Sequence, residues 1–428
     1  MNVLDSSFLI IGEGVTYQHC SDFFKNNQIT YQSTTTDNII NISNKEIICK
    51  NQNINIDTID YIVVSPGIDP SNNAIKDLKK TGCKITTDIE IVQSLSRSKF
   101  ICVTGTNGKT STVNLIADIM NHNNLKTIAC GNNGVSVFEA LLDVYDYIVL
   151  ELSSYQLEYI TTLNSYISVV LNISPDHLDR HINLENYLEI KLKIFNDSKH
   201  KIISKDLSHC HDYSTFEVRD SGFYSNDVKL KDLSIVDDSY ILYNSNPYPI
   251  HGIHESSNLC ACISVLRIIG LSLKDILESF SKRKHLEHRV EEFVTFNDIK
   301  FINDSKSTNA DSTHNALMSI KGNIILIMGG DIKTMSYDIL NDSINEKVKR
   351  LILIGENREL LDKTLSVSSK KVLCNSLEHA TSYIFSVMSP GDTILMSPGT
   401  SSYCMYDNYQ QRGNHFKELI NKYVSQQN

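Results

Sequence analysis

The sequence lacks the features that are typical of membrane, nucleic-acid-binding and secreted proteins. No apolar run approaches the ~18 residues that a membrane-spanning helix needs. The N-terminal stretch has no basic segment and no small-residue cleavage site, so we expect no secretion signal. Acidic residues (50) outnumber basic ones (40), and the formal net charge of -10 argues against a nucleic-acid partner. We therefore expect a cytoplasmic protein without membrane insertion.

Paired cysteine motifs are also scarce. The ten cysteines are scattered, and only Cys260 and Cys262 lie close together in the sequence. A single C-x-C pair is a weak zinc signature, so reduced and buried cysteines are the better interpretation. The chain has no fixed-period repeat and no low-complexity tail. Its apolar content of 41% is enough to build globular cores. We expect the protein to be a monomer.

What the sequence does contain is an alternation of short apolar runs with longer amphipathic stretches. Runs such as FLIIG near residue 10, FICVTG near 102, IILIMGG near 327 and TILMSPG near 395 are apolar on both faces. Strands that are covered by helices on both sides have this pattern, which predicts an α/β fold with mostly parallel sheets. A chain of 428 residues favours several domains. We predict three, over residues 1–90, 91–285 and 286–428, with a small irregular or antiparallel section between 201 and 250.

The segment FICVTGTNGKTSTVNLI is the strongest functional signal. A strand is predicted to end before a tight loop at residues 105–108, and a helix to begin at Lys109. Glycines allow backbone N–H groups to approach phosphate oxygens, while the helix N-terminus and Lys109 add positive charge. The hydroxyl of Thr110 can bind Mg²⁺. Val103 replaces the first glycine of the general P-loop pattern, and kinases, GTPases, motors and ligases all remain possible at this point.

Three side chains further along the chain are candidates for metal or acid–base chemistry. Glu151 lies near the end of the strand-type run YIVLEL, where a carboxylate can either bind Mg²⁺ or cap the next helix. His177 follows the next run, and a structural or acid–base role is favoured because Mg²⁺ rarely uses imidazole. Lys191 lies on the apolar side of the predicted helix YLEIKLKIF, where a lysine usually extends to solvent.

The strings TGTNGKTST, LELSSYQLE, LNISPDHLDRH and YLEIKLKIF, in this order and spacing, resemble the central domain of the Mur ligases. FINDSKSTNADST, IMGGDIK and LMSPGTSSYCMYDNYQQRGNHF are similar to strings of the D-glutamate-adding members. The resemblance covers nearly the whole chain and is weakest in residues 15–60 and 200–245. It implies a Rossmann-like UDP-binding domain, a central P-loop ATPase domain with a mostly parallel sheet, and a Rossmann-like C-terminal domain.

The resemblance also implies an activity. It is that of an ATP-dependent ligase which joins D-glutamate to UDP-N-acetylmuramoyl-L-alanine through an acyl phosphate, in peptidoglycan precursor synthesis. Two Mg²⁺ ions are expected. The catalytic residues it implies are Lys109, His177 and Lys191. The metal ligands it implies are Thr110, Glu151, His177 and Lys191, the lysine being carbamylated.

Substrate-binding residues complete the expectation. The predicted ATP site comprises Gly105, Thr106, Asn107, Gly108, Lys109, Thr110, Ser111, Asn258, Arg289 and Asp304. The turn at residues 12–14 lacks the third glycine of the dinucleotide pattern, which disfavours NAD. The predicted UDP-substrate site comprises Gly14, Val15, Thr16, Ser65, Gly67, Asn132 and Ser153. The predicted D-glutamate site comprises Lys306, Thr308, Lys333, Ser402, Tyr403 and Tyr409.

Two other functions stay open. One is a sister Mur ligase or a folate-type glutamate ligase that uses a different amino acid. The other is a non-catalytic nucleotide-binding scaffold that has kept the fold. The presence of Glu151, His177 and Lys191 argues against the scaffold, because a protein that only binds nucleotide does not need such a metal-binding set.

Overall fold

The computed structural model describes residues 2–43, 45–204, 207, 214–219, 222–225, 252–282, 287–332 and 336–427. The chain divides into two compact units. The described residues of unit 1 lie within Met1–Ile173, Arg180–Asp238 and Asn258–Lys282. Those of unit 2 lie within Ser174–Asp179, Ser239–Ser257 and Arg283–Asn428.

The N-terminal part of unit 1 contains two small sheets. Its strands are β1 (Phe8–Ile11), β2 (Tyr31–Thr34), β3 (Ile39–Ile42), β4 (Glu46–Cys49), β5 (Asn53–Asn55), β6 (Tyr61–Val64) and β7 (Lys84–Thr86). Its helices are α1 (Val15–Asn26), α2 (Asn73–Lys80) and α3 (Asp88–Leu95). A four-stranded parallel sheet has the order β2-β1-β6-β7, and β3, β4 and β5 form an antiparallel sheet. Every residue of β1 is buried, as expected for a strand that is covered on both faces.

The larger part of unit 1 is built on a second sheet. Its strands are β8 (Lys99–Thr104), β9 (Thr127–Gly131), β10 (Tyr147–Glu151), β11 (Asn164–Val170), β12 (Asp197–Ser204), β13 (Ser214–Arg219) and β14 (Gly222–Ser225). Its helices are α4 (Lys109–His122), α5 (Ser154–Tyr159), α6 (Leu178–His181), α7 (Leu184–Leu192), α8 (Gly252–Ile269) and α9 (Leu273–Ser281). The first residues of α6, up to Asp179, and of α8, up to Ser257, are assigned to unit 2. The order is β14-β13-β12-β11-β8-β10-β9, and only the β13–β14 pair is antiparallel among the described strands.

This strand order determines where the functional loops lie. β8 runs between β11 and β10, all three in parallel, so the loops after their carboxyl ends are neighbours at one edge of the sheet. The predicted antiparallel section is found in β13 and β14, whereas residues 201–204 continue the parallel strand β12. Most of the remaining predicted section lies outside the described residues.

The two parallel sheets of unit 1 share one hydrophobic core. It combines Phe8 of β1 and Phe24 of α1 with Phe100 of β8 and with Phe138, which lies in a short 3-10 helix at Val137–Leu141. Phe23 of α1 stacks on Phe138 with ring centroids 4.4 Å apart. We call the sheet β2-β1-β6-β7 the N-terminal sheet, and the sheet that contains β8 the P-loop sheet. Aromatic contacts hold the two together, and each contributes about 0.5–1.5 kcal/mol beyond the area that it buries.

Unit 2 is a second α/β unit. Its strands are β15 (Glu291–Phe296), β16 (Ile299–Asn303), β17 (Asn323–Gly329), β18 (Val348–Ile354), β19 (Lys370–Leu373) and β20 (Asp392–Met396). Its helices are α10 (Ala310–Ser319), α11 (Ile339–Lys347), α12 (Arg358–Thr364), α13 (Leu377–Val387) and α14 (Tyr409–Gln427). The strand order is β15-β16-β20-β17-β18-β19, and the pairs are parallel except β15–β16.

Alternate residues of β17 enter two different cores of unit 2. Ile324, Leu326 and Met328 belong to one cluster, and Ile325 and Ile327 to the other. Because successive strand side chains point to opposite faces, this division means that helices cover the sheet on both sides. The predicted α/β fold with mostly parallel sheets is confirmed, and the apolar runs near residues 10, 102, 327 and 395 all form strands.

Candidate active site

The phosphate loop connects β8 to α4 through two glycines in unusual backbone conformations. Gly105 has a φ of 156° and Gly108 a φ of 83°, and the latter is left-handed and caps α4. A Cβ at Gly108 would lie 2.2 Å from Oδ1 of Asn258, so the asparagine packs directly against the loop. Asn258 was predicted from the sequence to bind ATP, and the structure places it beside the loop that was predicted to bind the phosphates.

Asn172 fixes the conformation of this loop, and no role for it was predicted from the sequence. Its Oδ1 accepts a hydrogen bond from the backbone N–H of Asn107 at 2.8 Å, and its Nδ2 donates to the Asn107 carbonyl at 3.0 Å. Its own carbonyl accepts from the Thr106 N–H at 2.9 Å. The available signal was its position directly after the strand-type run ISVVL, at the same sheet edge as the loop.

Two lysines converge on the carbonyl oxygen of Gly105. Lys109 Nζ lies 2.8 Å from this oxygen and 2.8 Å from the Thr106 carbonyl. Lys191 Nζ lies 2.9 Å from the Gly105 oxygen and 4.7 Å from the centre of the Tyr187 ring. Lys191 is only 1% exposed, so it does not extend to solvent as a lysine on a surface helix usually does. Its ammonium group instead adds positive charge at the Gly105 carbonyl of the phosphate loop.

Glu151 ends β10 at the same edge and has one oxygen available. It is 2% exposed, and its Oε1 accepts a hydrogen bond from Asn132 Nδ2 at 3.1 Å. Its Oε2 is shielded from solvent and has no hydrogen-bond partner among the described residues. An unpaired buried carboxylate oxygen is costly, and hard oxygen donors are what Mg²⁺ prefers. The Glu151 oxygen is therefore of the type that binds magnesium, and Thr110, the second predicted ligand, lies in the first turn of α4.

The described residues contain no cluster of three or more His, Cys, Asp and Glu that could hold a metal. A magnesium site at Glu151 would therefore take most of its ligands from phosphate oxygens and water, which is common for this ion. His177 lies in the segment Ser174–Asp179 of unit 2, whereas Glu151 and Lys191 belong to unit 1. His177 has a φ of 55°, and its Nε2 lies 3.6 Å from Asp176 Oδ2. Its role as a metal ligand beside Lys191 stays a prediction.

The N-terminal sheet places two predicted UDP-binding turns next to each other. They follow the adjacent parallel strands β1 and β6, and a Cβ at Gly12 would lie 2.3 Å from Ser65 Oγ. This Ser65 hydroxyl is shielded from solvent and has no hydrogen-bond partner among the described residues. Gly14 is the N-cap of α1, so Val15 and Thr16 occupy a helix N-terminus that can receive a pyrophosphate.

Ser153 has an observed structural role. It is the N-cap of α5 and forms a capping box with Gln156, whose backbone N–H donates to Ser153 Oγ at 3.2 Å. Gly67 follows Ser65 in the turn after β6 and is exposed. Contacts of Ser153 and Gly67 with a UDP-linked substrate stay predictions.

In unit 2, Asp304 is a buried carboxylate at the end of β16. It accepts hydrogen bonds from Ser397 Oγ at 2.7 Å and from the Val290 N–H at 3.2 Å. Burial raises the pKa of Asp304 to about 6, although hydrogen bonds from Ser307 and Ser397 and the charge of Arg289 act in the opposite direction. Arg289 and Asp304, both predicted to bind ATP, are therefore neighbours within this unit.

The predicted D-glutamate residues are only partly brought together. Lys306 Nζ lies 4.0 Å from the centre of the Tyr409 ring. Ser402 is buried, and its carbonyl accepts from the Met405 N–H at 3.0 Å. Thr308 is half-buried and Tyr403 is 76% exposed. Lys333 lies outside the described residues.

Arg412 organises the loops around these residues, and no role for it was predicted from the sequence. It is 1% exposed, and its Nε donates to Ser305 Oγ at 3.0 Å. Its Nη1 donates to the carbonyls of Thr400 and Ser401 at 3.3 Å. Burial lowers the pKa of Arg412 to about 10, which leaves it charged at neutral pH. Its position in the string NYQQRGNHF was the available signal.

Comparison with known proteins identifies the family. Residues 103–266 match the Mur ligase middle domain, and residues 288–399 match the Mur ligase glutamate ligase domain. The UDP-N-acetylmuramoylalanine–D-glutamate ligase of Prochlorococcus marinus (strain MIT 9312) is 34% identical over 405 residues, which cover 90% of this chain and 86% of that protein. The protein of the same name from Buchnera aphidicola subsp. Baizongia pistaciae is 30% identical over 99% of both chains. The chain belongs to the Mur ligase family.

The fold of this Mur ligase is also that of solved relatives. A MurF ligase from Thermotoga maritima, solved in complex with ADP, has a TM-score of 0.61, covers 100% of both chains and is 12% identical. At this identity the likeness concerns the fold alone. The family predicted from the sequence is thus confirmed, while the individual site residues of this Mur ligase stay predictions. Within the described ranges, every helix is too short or too polar to cross a bilayer, and the described cysteines are all free.

Proposed function

We propose that this chain is an ATP-dependent ligase that joins UDP-N-acetylmuramoyl-L-alanine to D-glutamate in peptidoglycan precursor synthesis. The observation that carries the proposal is the convergence of Lys109 and Lys191 on the phosphate loop beside the buried carboxylate of Glu151. This arrangement supports phosphoryl transfer. The D-glutamate ligases to which the chain is similar match it over 85–99% of its length.

The reaction has two bond exchanges. A carboxylate oxygen of the muramoyl-alanine attacks the γ-phosphorus of ATP, the bond to the β–γ bridging oxygen breaks, and ADP leaves. The amine of D-glutamate then attacks the acyl phosphate carbon and loses a proton, and the C–O bond breaks to release inorganic phosphate. In the first exchange two anions must approach within about 3 Å. Lys109 and the N–H groups at the N-terminus of α4 offset their repulsion.

Magnesium binding is part of the proposal. Glu151 and the Thr110 hydroxyl would hold one ion, which would neutralise phosphate charge and polarise the γ-phosphoryl group. Carbamylation joins CO₂ to the Lys191 amine with loss of a proton, and it would convert this buried cation into an anionic oxygen donor. His177 and the modified lysine would then supply a second site. His177 or a neighbouring carboxylate would accept the proton of the amine.

Unit 2 would bind the amino acid. D-glutamate has two carboxylates, and Lys306 and Lys333 are the cations proposed to bind them, with hydroxyls of Thr308 and Ser402 fixing the geometry. The Lys306 ammonium lies over the Tyr409 ring, and this contact restricts its position. The proposal retains three domains at 1–90, 91–285 and 286–428, and a monomeric cytoplasmic enzyme.

The test is an amino-acid panel. Purified protein is incubated with ATP, Mg²⁺, UDP-N-acetylmuramoyl-L-alanine and one of D-glutamate, L-glutamate, L-alanine or D-alanine. Released phosphate is measured, and the product is weighed by mass spectrometry. We expect amide product with D-glutamate only.

Other outcomes decide between the alternatives. Product with L-alanine or L-glutamate but not with D-glutamate would identify a sister or folate-type ligase and reject the proposed substrate. Binding of ATP without amide product from any amino acid would identify a non-catalytic scaffold. A Lys109→Ala variant serves as the negative control for ATP-dependent phosphate release.

A further inference from the structure

Arg180 connects the P-loop sheet of unit 1 to a turn of the N-terminal sheet. The turn follows β6, and the guanidinium donates to three consecutive carbonyls in it, at 3.0 Å for Pro66, 2.9 Å for Gly67 and 2.9 Å for Ile68. The Arg180 side chain is 8% exposed, and its Nε donates to Glu158 Oε2 at 2.9 Å. A planar guanidinium with five N–H donors can satisfy such a set, whereas a lysine ammonium cannot.

Two residues of helix α5, Glu158 and Tyr159, also hold this arrangement. Burial by itself raises the pKa of Glu158, but the neighbouring His181 and Arg180 outweigh it, so the pKa lies below its ordinary value and the carboxylate stays charged. Tyr159, one residue further along α5, donates its hydroxyl to the Ile68 carbonyl at 2.8 Å. The Ile68 carbonyl therefore receives two side-chain donors, from Arg180 and from Tyr159.

The turn that these side chains hold carries the Ser65 hydroxyl. Ser65 Oγ is shielded from solvent and has no hydrogen-bond partner among the described residues, so the turn carries a buried polar group that is left unsatisfied. The hydroxyl also contacts the site of Gly12 in the turn after β1, where a Cβ would approach it to 2.3 Å. A displacement of the turn after β6 would therefore also disturb the turn after β1, and both turns belong to the proposed UDP-substrate site.

We propose that Arg180 is a positioning residue that holds the Ser65–Ile68 turn in the conformation that binds the UDP-linked substrate. The inference rests on the proposed function, because it assigns the turn to that substrate. Arg180 acts through the backbone carbonyls of the turn and does not contact the reacting atoms. Its loss should therefore weaken binding of the UDP-linked substrate, while the ATP site, which is built on the loop after β8, keeps its affinity.

The experiment compares Arg180→Lys, Arg180→Ala and Tyr159→Phe with the wild type and with Arg97→Lys as control. Arg97 is an exposed arginine of the same unit. Initial rates are measured against the UDP-linked substrate and, separately, against ATP. For Arg180→Lys we expect the KM of the UDP-linked substrate to rise roughly tenfold, and the KM of ATP to change by less than about twofold. Tyr159→Phe should give a smaller rise of the same kind.

Several results would overturn the inference. An unchanged KM for the UDP-linked substrate in Arg180→Lys would do so, as would an equal rise in both KM values, which would indicate only general loosening of unit 1. If Arg180→Ala does not fold, Arg180→Lys and Tyr159→Phe decide the question. Arg97→Lys must match the wild type in both KM values.

A binding measurement separates this inference from the proposed function. Calorimetric titration of wild type and Arg180→Lys with UDP-N-acetylmuramoyl-L-alanine needs no turnover. Wild type that binds this ligand but makes no amide with D-glutamate would reject the proposed function while leaving the role of Arg180 measurable. Wild type that does not bind the ligand at all would reject both.

Discussion

Gly108→Ala is the substitution whose effect follows most directly from the geometry of the phosphate loop. The residue has a φ of 83°, and an added Cβ would lie 2.2 Å from Oδ1 and 2.8 Å from Cγ of Asn258. The left-handed conformation alone costs a non-glycine residue about 1–2 kcal/mol. The contact with Asn258 is far inside van der Waals distance, so either the loop or the asparagine must also move.

Gly82 provides a matched control for this substitution. It has a φ of 81°, and a Cβ there would meet no atom within 4 Å. Gly82→Ala should therefore lower the free energy of unfolding by about 1–2 kcal/mol through backbone strain alone, without any effect on nucleotide binding. Gly108→Ala should lower it by at least as much and should also raise the KM of ATP by roughly tenfold or more, which corresponds to about 1.4 kcal/mol of lost binding.

The assay combines urea unfolding with steady-state kinetics. Removing the obstructing side chain in Gly108→Ala/Asn258→Ala should restore part of the lost stability, and this non-additivity would identify the contact as the cause. The reasoning is refuted if Gly108→Ala and Gly82→Ala lose the same stability and both keep the wild-type KM for ATP. It is also refuted if the two substitutions at the loop are strictly additive.

Three further predictions concern ionisable groups. Lys191→Ala should nearly abolish turnover, and short carboxylates such as acetate should restore part of it. Lys193→Ala, at an exposed position on the same segment, should keep full activity. Rates measured with and without acetate check both expectations. Glu151→Gln should raise the Mg²⁺ concentration for half-maximal rate by roughly tenfold, because the amide loses the charge that attracts the ion; a magnesium titration of the rate that matches the wild type would contradict it. Burial raises the pKa of Asp304 from 3.8 to about 6, so the folded state binds the proton more tightly than the unfolded state. This carboxyl therefore lowers the stability of the protein as pH rises from about 4 to 6. Asp304→Asn should remove this contribution to the pH dependence of the free energy of unfolding, on the order of 3 kcal/mol between pH 4 and 7. Unfolding curves over this range check it, and an unchanged slope of unfolding free energy against pH would refute the assignment.

The fold class could be predicted from the sequence because its signals are local. A run such as FLII, buried along its whole length, is recognisable from composition alone, since only strands with two covered faces are apolar at every position. The order of the strands was not predictable in the same way. That β8 lies between β10 and β11 depends on the packing of helices that are distant in sequence, and no local pattern encodes it.

Parts of the candidate site were predictable for the same reason. The glycines and Lys109 of the phosphate loop lie within one short string, so their chemistry is visible from spacing. Asn172 and Arg412 were not identified, because each acts by hydrogen bonding to backbone groups of a segment far away in sequence, Asn172 to Asn107 and Arg412 to the Ser305 carbonyl. An asparagine or arginine gives no sign in the sequence of which carbonyls it will meet. The same is true of Arg180 and the turn after β6.

The pair of lysines at the Gly105 carbonyl gives a physical reason for a change of charge at Lys191. Lys109 Nζ and Lys191 Nζ lie 2.8 and 2.9 Å from one oxygen, so the two ammonium groups are no farther apart than the sum of these distances. Two like charges this close in a buried site repel each other strongly. Conversion of Lys191 to a carbamate would replace that repulsion by attraction to Lys109. Lys109 would then be the one cation of the pair at the Gly105 carbonyl, where its charge can offset the negative charge of the γ-phosphate during transfer.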